Sequence, residues 1–359
     1  MLTFQQTIDY LSEHISDPVP HYLFIKEILK KPLSSPEYLN AYNKIVQTNW
    51  YRELADEQNE DGSWGAWRVD GYRNKAVVEK LQYQTYFMAF RRAKEMGLTK
   101  DDPMMAKGLG ILEKYITGEA KNPLKIFLWN DEGKTNTIFR NFYPSAFINL
   151  FDPYNPLVKP LQESTAEIYR TAFATGYFNE EYHAQAESEY RIYCLAHPRN
   201  TPGLQLMQQA KCMEEPLERH YLNYVWGNTS AINTVKVDRI TRFTHHYVTA
   251  PDTIMYMSGF LPIHKKILED KEFTVWLSLL ELLSGFSLFG EFMRDEAYPH
   301  LLGEADRLIN SDVELPKPSS GHVKSTGCDT NGRYAESWRD KNKRKIDMIL
   351  RIARILAKC

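Results

Sequence analysis

Along most of the chain, apolar positions recur at three- and four-residue intervals, and prolines and glycines mark the breaks between runs. Residues 3–16 and 22–31 predict a short helical hairpin interrupted by Pro18 and Pro20. From Pro36 to Ala55, the residues Tyr38, Leu39, Tyr42, Ile45, Val46, Trp50 and Leu54 sit at helical spacing. A second segment, Val77 to Met96, has Val78, Leu81, Tyr83, Phe87, Met88 and Phe90 as its apolar content. Asp101 or Asp102 then caps a helix with Pro103 at its first position, carried by Met104, Met105, Leu109, Ile111 and Leu112 as far as Ile116.

Helical patterns continue over 138–151, 157–175 and 180–196, after Pro202, Pro216 and Pro251, around Pro262, over 271–286, and from Pro299 to Asn310. The stretch 118–135 is a loop rich in Gly, Asn and Asp, and 228–250, rich in Thr, Val and His, is the least periodic. Residues 312–331, with Pro316, Pro318, Gly321 and Gly327, form a linker before a last helix from Glu336 to Lys358. Ile346, Ile349, Leu350, Ala353 and Leu356 make its apolar stripe; Lys343, Arg344, Arg351 and Arg354, partnered by Asp340 and Asp347, give it a solvated face. Strand signals are nearly absent. The pattern predicts an all-α chain, one domain over 1–359 with residues 1–31 packed on it as a hairpin. About a dozen helices of the usual ~11–12 residues or somewhat longer suit a closed (α/α)6 toroid of helical hairpins, or an incomplete, open solenoid.

The stretch Gln58-Asn59-Glu60-Asp61-Gly62-Ser63-Trp64-Gly65 lies between two helical segments. Asp-Gly supplies a turn residue able to take positive φ, Gln58 can set its amide on the end of a neighbouring helix, and Trp64 can cover that contact. Gln58, Gly62 and Trp64, with Tyr51 and Leu54 upstream, resemble the QW motif of the terpenoid cyclase and protein prenyltransferase superfamily. That resemblance implies an α/α toroid with a central aromatic cavity for an apolar, isoprenoid-type ligand. The superfamily's reactive patterns do not carry over. Thr99-Lys100-Asp101-Asp102 lacks the first acid of an Asp-x-Asp-Asp motif, and no Asp-Asp-x-x-Asp cluster is present. Cys328 and Asp329 are adjacent rather than two apart, and His322 precedes them, unlike the zinc ligands of prenyltransferases. The reaction is therefore unassigned. A non-catalytic toroid acting as a binding or scaffold protein, and an (α/α) carbohydrate-active hydrolase or lyase, stand as alternatives.

Charge narrows the partners. The 44 basic and 46 acidic residues leave a net of −2, so no global field draws the chain to nucleic acid. Four scattered cysteines, Cys194, Cys212, Cys328 and Cys359, form no CxxC pair, which fits a reducing, cytoplasmic setting. Met1 to Ser16 carries Asp9 and Glu13 and does not read as a signal peptide. The longest apolar run, Phe273 to Phe289, is interrupted by Ser278, Glu281, Ser284 and Ser287 and reads as a buried helix, not a transmembrane segment. No cofactor is predicted.

Candidate chemistry is sparse. His245, beside His246, is a candidate general base or a hydrogen-bonded structural histidine; the pair points in different directions on a helix and predicts no metal site. Asp61 is a candidate acid or a turn residue. Gly332-Arg333-Tyr334-Ala335-Glu336-Ser337-Trp338-Arg339 combines a turn with groups able to build a polar, aromatic-walled mouth. Arg333, Tyr334, Trp338 and Arg339 are candidate ligand-binding residues, with Arg140 and Tyr143 of a similar Arg-Asn-Phe-Tyr run. Glu336 is a catalytic candidate there, or, like Ser337, the cap of the last helix. Glu291 and Asp295, four apart with Arg294 between, form a solvated or salt-bridged edge.

Overall fold

The structure, a computed structural model, describes residues 2–64, 86–121, 141–174, 213–227, 267–270, 273–295, 297–315 and 340–359. In chain order the helices are α1 (Phe4–His14), α2 (Pro18–Leu23), a π-helical turn (Phe24–Ile28), α3 (Pro36–Ile45) and α4 (Asn49–Asp56). There follow α5 (Tyr86–Glu95), α6 (Pro103–Thr117), α7 (Phe142–Phe151), α8 (Lys159–Ala172) and α9 (Glu215–Gly227). The last four are α10 (Phe273–Leu283), α11 (Phe289–Met293), α12 (Ala297–Asn310) and α13 (Lys341–Leu356). Among the described residues there is no strand, only an isolated antiparallel bridge between Gln58 and Trp64. The fold is all-α. None of the described helices is long and apolar enough to cross a membrane.

Local chemistry sets the helix ends. Thr3 opens α1 with a reciprocal box: its hydroxyl accepts from the Gln6 N–H, and the Gln6 side chain accepts from the Thr3 N–H at 2.8 Å. Asp102 Oδ1 accepts from the Met104 and Met105 N–H groups ahead of Pro103, and Gly118 ends α6 at a φ of 84°. Pro18 and Pro20 do not interrupt a hairpin; they lie in the first turn of α2, where a missing N–H costs nothing. The expected helix over 36–55 is split into α3 and α4. The Thr48 hydroxyl donates to the Ile45 carbonyl at 2.7 Å and accepts from the Tyr51 N–H, closing α3 and opening α4 where the backbone bonds shorten to Gln47 on Lys44 and Thr48 on Ile45. The last helix starts at Lys341, not Glu336, because Asp340 accepts from the N–H groups of Asn342 and Lys343.

The chain divides into two compact units. The first takes Met1–Asp56, Arg91–Leu98 and Ile263–Cys359. Its centre is α13, which packs on α1, α10, α12 and the π turn. Met348, Ile349, Leu350, Ile352, Ala353, Ile355 and Leu356 are all buried along it. So are Asp347 and Arg351, which the sequence placed on a solvated face. Arg351 reaches Glu281 of α10 with both Nε and Nη2, the latter at 2.9 Å, and Nη2 also donates to the Thr274 carbonyl. A fully buried guanidinium is tolerable because donors and charge are matched together.

The second unit takes Glu57–Phe90 and Thr99–Pro262. There α6 packs on α7, and Gln162 of α8 donates to the Asn149 side chain of α7 at 2.6 Å and to the Pro153 carbonyl at 2.8 Å. Gln162 thereby ties α8 to α7 and to the start of the segment between them. The linker expected over 312–331 is described only to Leu315, and that part is non-helical.

Candidate functional site

Within the second unit, the turn from Gln58 to Trp64 is a closed circuit of short bonds. The Gly62 N–H donates to the Asn59 carbonyl at 2.9 Å, and the Asn59 N–H donates to the Ser63 carbonyl at 2.8 Å. Asn59 Nδ2 donates to Ser63 Oγ, while Asp61 Oδ1 accepts from the Ser63 N–H at 2.8 Å. Gly62 adopts a φ of 93°, and a Cβ there would lie 2.4 Å from the Lys107 carbonyl oxygen, so backbone passes where no side chain fits. Gln58 Nε2 donates to the Gly62 carbonyl at 3.0 Å and to the Met104 carbonyl, in the first turn of α6, at 2.9 Å. Trp64 is fully buried and meets Phe90 edge-on, with ring centroids 5.5 Å apart. Gln58, Gly62 and Trp64 thus act together as a clamp on α6.

One oxygen of the Asp61 carboxylate is engaged by the turn, in an Asx-type bond. Tyr143 lies on α7, with nothing described of its side chain, and Asn141 precedes that helix. His245, Glu336, Arg140, Arg333, Tyr334, Trp338 and Arg339 lie outside the described residues, as do Cys328 and Gly65. Glu291 and Asp295 are exposed. Among the described residues, no group of three or more His, Cys, Asp and Glu side chains is arranged to hold a metal ion.

The structure also brings together aromatic side chains whose contacts the sequence did not predict. Phe90, beneath Trp64, stacks on Phe147 at 5.0 Å and meets Phe151 edge-on at 5.7 Å. A second group joins α8 to α9: Tyr169 stacks on Phe173 at 6.0 Å, and Tyr221 contacts both at 5.8 and 5.5 Å. All three are fully buried. The Tyr169 hydroxyl is shielded from water and has no hydrogen-bond partner among the described residues. Burial pushes its pKa far above the usual phenol range, so it stays protonated and presents an O–H donor within an aromatic setting. Phe147 and Phe151, like Tyr169 and Phe173, are four residues apart, which was the available sequence signal. The partner helix of each pair was not readable from spacing.

No protein-family model, curated protein or solved structure matches the chain.

Proposed function

We propose that this chain is a helical-array protein of the terpenoid cyclase and prenyltransferase type that binds an apolar, isoprenoid-type molecule carrying a hydrogen-bond acceptor. The observation that carries this reading is the Tyr169 hydroxyl, buried among Phe173 and Tyr221 without an acceptor among the described residues. Leaving such a donor unmet costs about 1–3 kcal/mol, a cost that a ligand oxygen would remove while its hydrocarbon chain lay against the rings. The clamp of Gln58 and Trp64 on α6 supports the array portion of the reading. The reading assigns no catalytic acid: Asp61 Oδ1 is engaged by the Ser63 N–H of its own turn.

The test begins with organic extraction of the purified protein and mass spectrometry of whatever co-purifies. Titration with prenols, prenyl diphosphates and polyprenes follows, read by the melting temperature and by aromatic fluorescence. Saturable binding of one such class supports the proposal, and the absence of binding by all of them rejects it.

A second reading, a scaffold that uses the array without a ligand, is favoured by the contacts of Phe90. Trp64, Phe147 and Phe151 all lie against that one ring, surrounding it with side chains. Under this reading the extract is empty and the isoprenoid titrations are flat.

A further inference from the structure

One loop of the first unit exposes apolar side chains beside charge that nothing offsets. Between the π-helical turn and α3 runs Leu29-Lys30-Lys31-Pro32-Leu33-Ser34-Ser35. Leu29 is 36% exposed, Leu33 66%, and Leu39, in the first turn of α3, 49%. The other large apolar side chains exposed among the described residues, Tyr154 and Ile267, each stand alone in the sequence. Single leucines on a surface are ordinary. Three within eleven residues belong to one local feature.

The backbone keeps them close and holds them in place. A chain spans at most ~3.3–3.6 Å per residue, so the Cα atoms of Leu29 and Leu33 lie within about 14 Å. The Ser35 N–H donates to the Pro32 carbonyl at 2.9 Å, and the Leu39 N–H to the Ser35 carbonyl at 3.0 Å. Lys30 takes a φ of 50° where the chain leaves the π turn, and the Lys31 N–H closes on the Ile25 carbonyl at 3.1 Å. Ser35 Oγ accepts from the Tyr38 N–H at 3.2 Å. The Tyr38 hydroxyl in turn shares a buried 2.7 Å hydrogen bond with Tyr22 of α2. The leucines are displayed by an anchored frame, so covering them costs little ordering entropy.

Lys30 and Lys31 are exposed, and neither ammonium has an ion-pair partner among the described residues. Of the acids nearest in sequence, Glu27 pairs with Arg354 at 2.8 Å. Glu37 sits in the first turn of α3, at the positive end of that helix's dipole.

We infer that this loop docks on an anionic lipid surface. Leu29, Leu33 and Leu39 enter the boundary between headgroups and acyl chains, and Lys30 and Lys31 meet the lipid phosphates. The composition favours lipid over a protein partner. Protein interfaces draw on Tyr, Trp, Phe, Met and Arg and are depleted in Lys. The exposed side chains between Leu29 and Leu39 include none of those five types. Lysine suits a bilayer edge, because its stem lies along apolar surface while its head reaches the phosphates. The inference does not depend on Tyr169, so either proposal can fail alone.

The full chain is floated with vesicles of phosphatidylcholine alone, and of phosphatidylcholine mixed with phosphatidylglycerol, at low and at physiological salt. The expected result is saturable binding to the mixed vesicles that weakens as salt is added. Binding should fall at least about tenfold in each of two variants, Leu33→Ser/Leu39→Ser and Lys30→Gln/Lys31→Gln. Denaturation midpoints close to the parent's show that both variants are folded, as expected for exposed positions. Sedimentation velocity without lipid tests the rival occupant, a second copy of this chain. The inference is overturned by no binding to the mixed vesicles, by equal binding to the neutral ones, or by unchanged binding in either folded variant. Absent vesicle binding, a parent dimer that the leucine variant dissolves assigns the loop to self-association instead.

Discussion

Gly108 of α6 and Trp64 compete for the same space: a Cβ on Gly108 would come within 2.5 Å of the indole Cζ3. In an exposed helix, replacing glycine by alanine gains up to about 1 kcal/mol. Here the added methyl must push a fully buried indole, and overpacking costs about 1–3 kcal/mol. Gly108→Ala is therefore expected to be less stable than the parent in urea denaturation. A more stable variant would show that the indole shifts freely.

Removing the indole tests the clamp from the other side. Trp64→Ala is expected to lose about 3–5 kcal/mol, as for other large buried aromatics, with a lower denaturation midpoint. A change within about 0.5 kcal/mol, the range of ordinary surface substitutions, would mean that the turn does not hold α6.

Arg351 and Glu281 should behave as a unit. Arg351→Met leaves Glu281 facing a lost partner and should cost about 3–5 kcal/mol, whereas Arg351→Met with Glu281→Leu should recover much of that loss. Because Arg354 also touches Glu281, recovery will be incomplete. A double-mutant cycle with no coupling would contradict the pairing.

Lys94 gives a pH dependence of definite sign. Its ammonium titrates at about 8 in the folded chain, against the ordinary lysine value of 10.5 that it regains on unfolding. Between those values the unfolded chain holds more protons, so this group makes stability rise with pH across that window. Compared with the parent, Lys94→Gln should show a less positive, or more negative, slope of unfolding free energy between these two pH values. Parallel profiles would show that the lysine is unperturbed.

Tyr169→Phe separates stability from binding. Deleting a hydroxyl with no partner among the described residues should leave the free protein as stable or up to about 1 kcal/mol more stable, as read from chemical denaturation. Affinity for any oxygen-bearing isoprenoid should fall in the same variant. Destabilisation beyond about 1 kcal/mol would show that the hydroxyl is bonded in the free protein.

Much of the local structure was legible in the letters. Asp102-Pro103 marks its helix start because one carboxylate can hold two N–H groups beside a residue that needs none. The Gln58 to Trp64 turn was readable because Gly62 and Asp61 supply the bend that their chemistry allows. The split at Thr48 was hidden, since a hydroxyl competing with the helix ladder leaves the apolar spacing unchanged. Arg351 looked like a solvated charge because burial depends on Glu281, 70 positions away. The grouping of Tyr169 with Tyr221 and of Lys26 with the Gly97 carbonyl was illegible for the same reason: spacing reports one helix at a time.

The pairing of α1 and the π turn with α13 carries a cost for biosynthesis. Asp17 waits for Lys343, and Glu27 for Arg354, across 326 and 327 positions. At ribosomal speeds of about 5–20 residues per second, that interval lasts roughly 15–65 s. Throughout it the nascent N-terminal helices lack the apolar surface of α13 against which they seat, so a chaperone has most to guard at the beginning of the chain, and a premature stop before Asp340 would leave those first helices permanently without their mate.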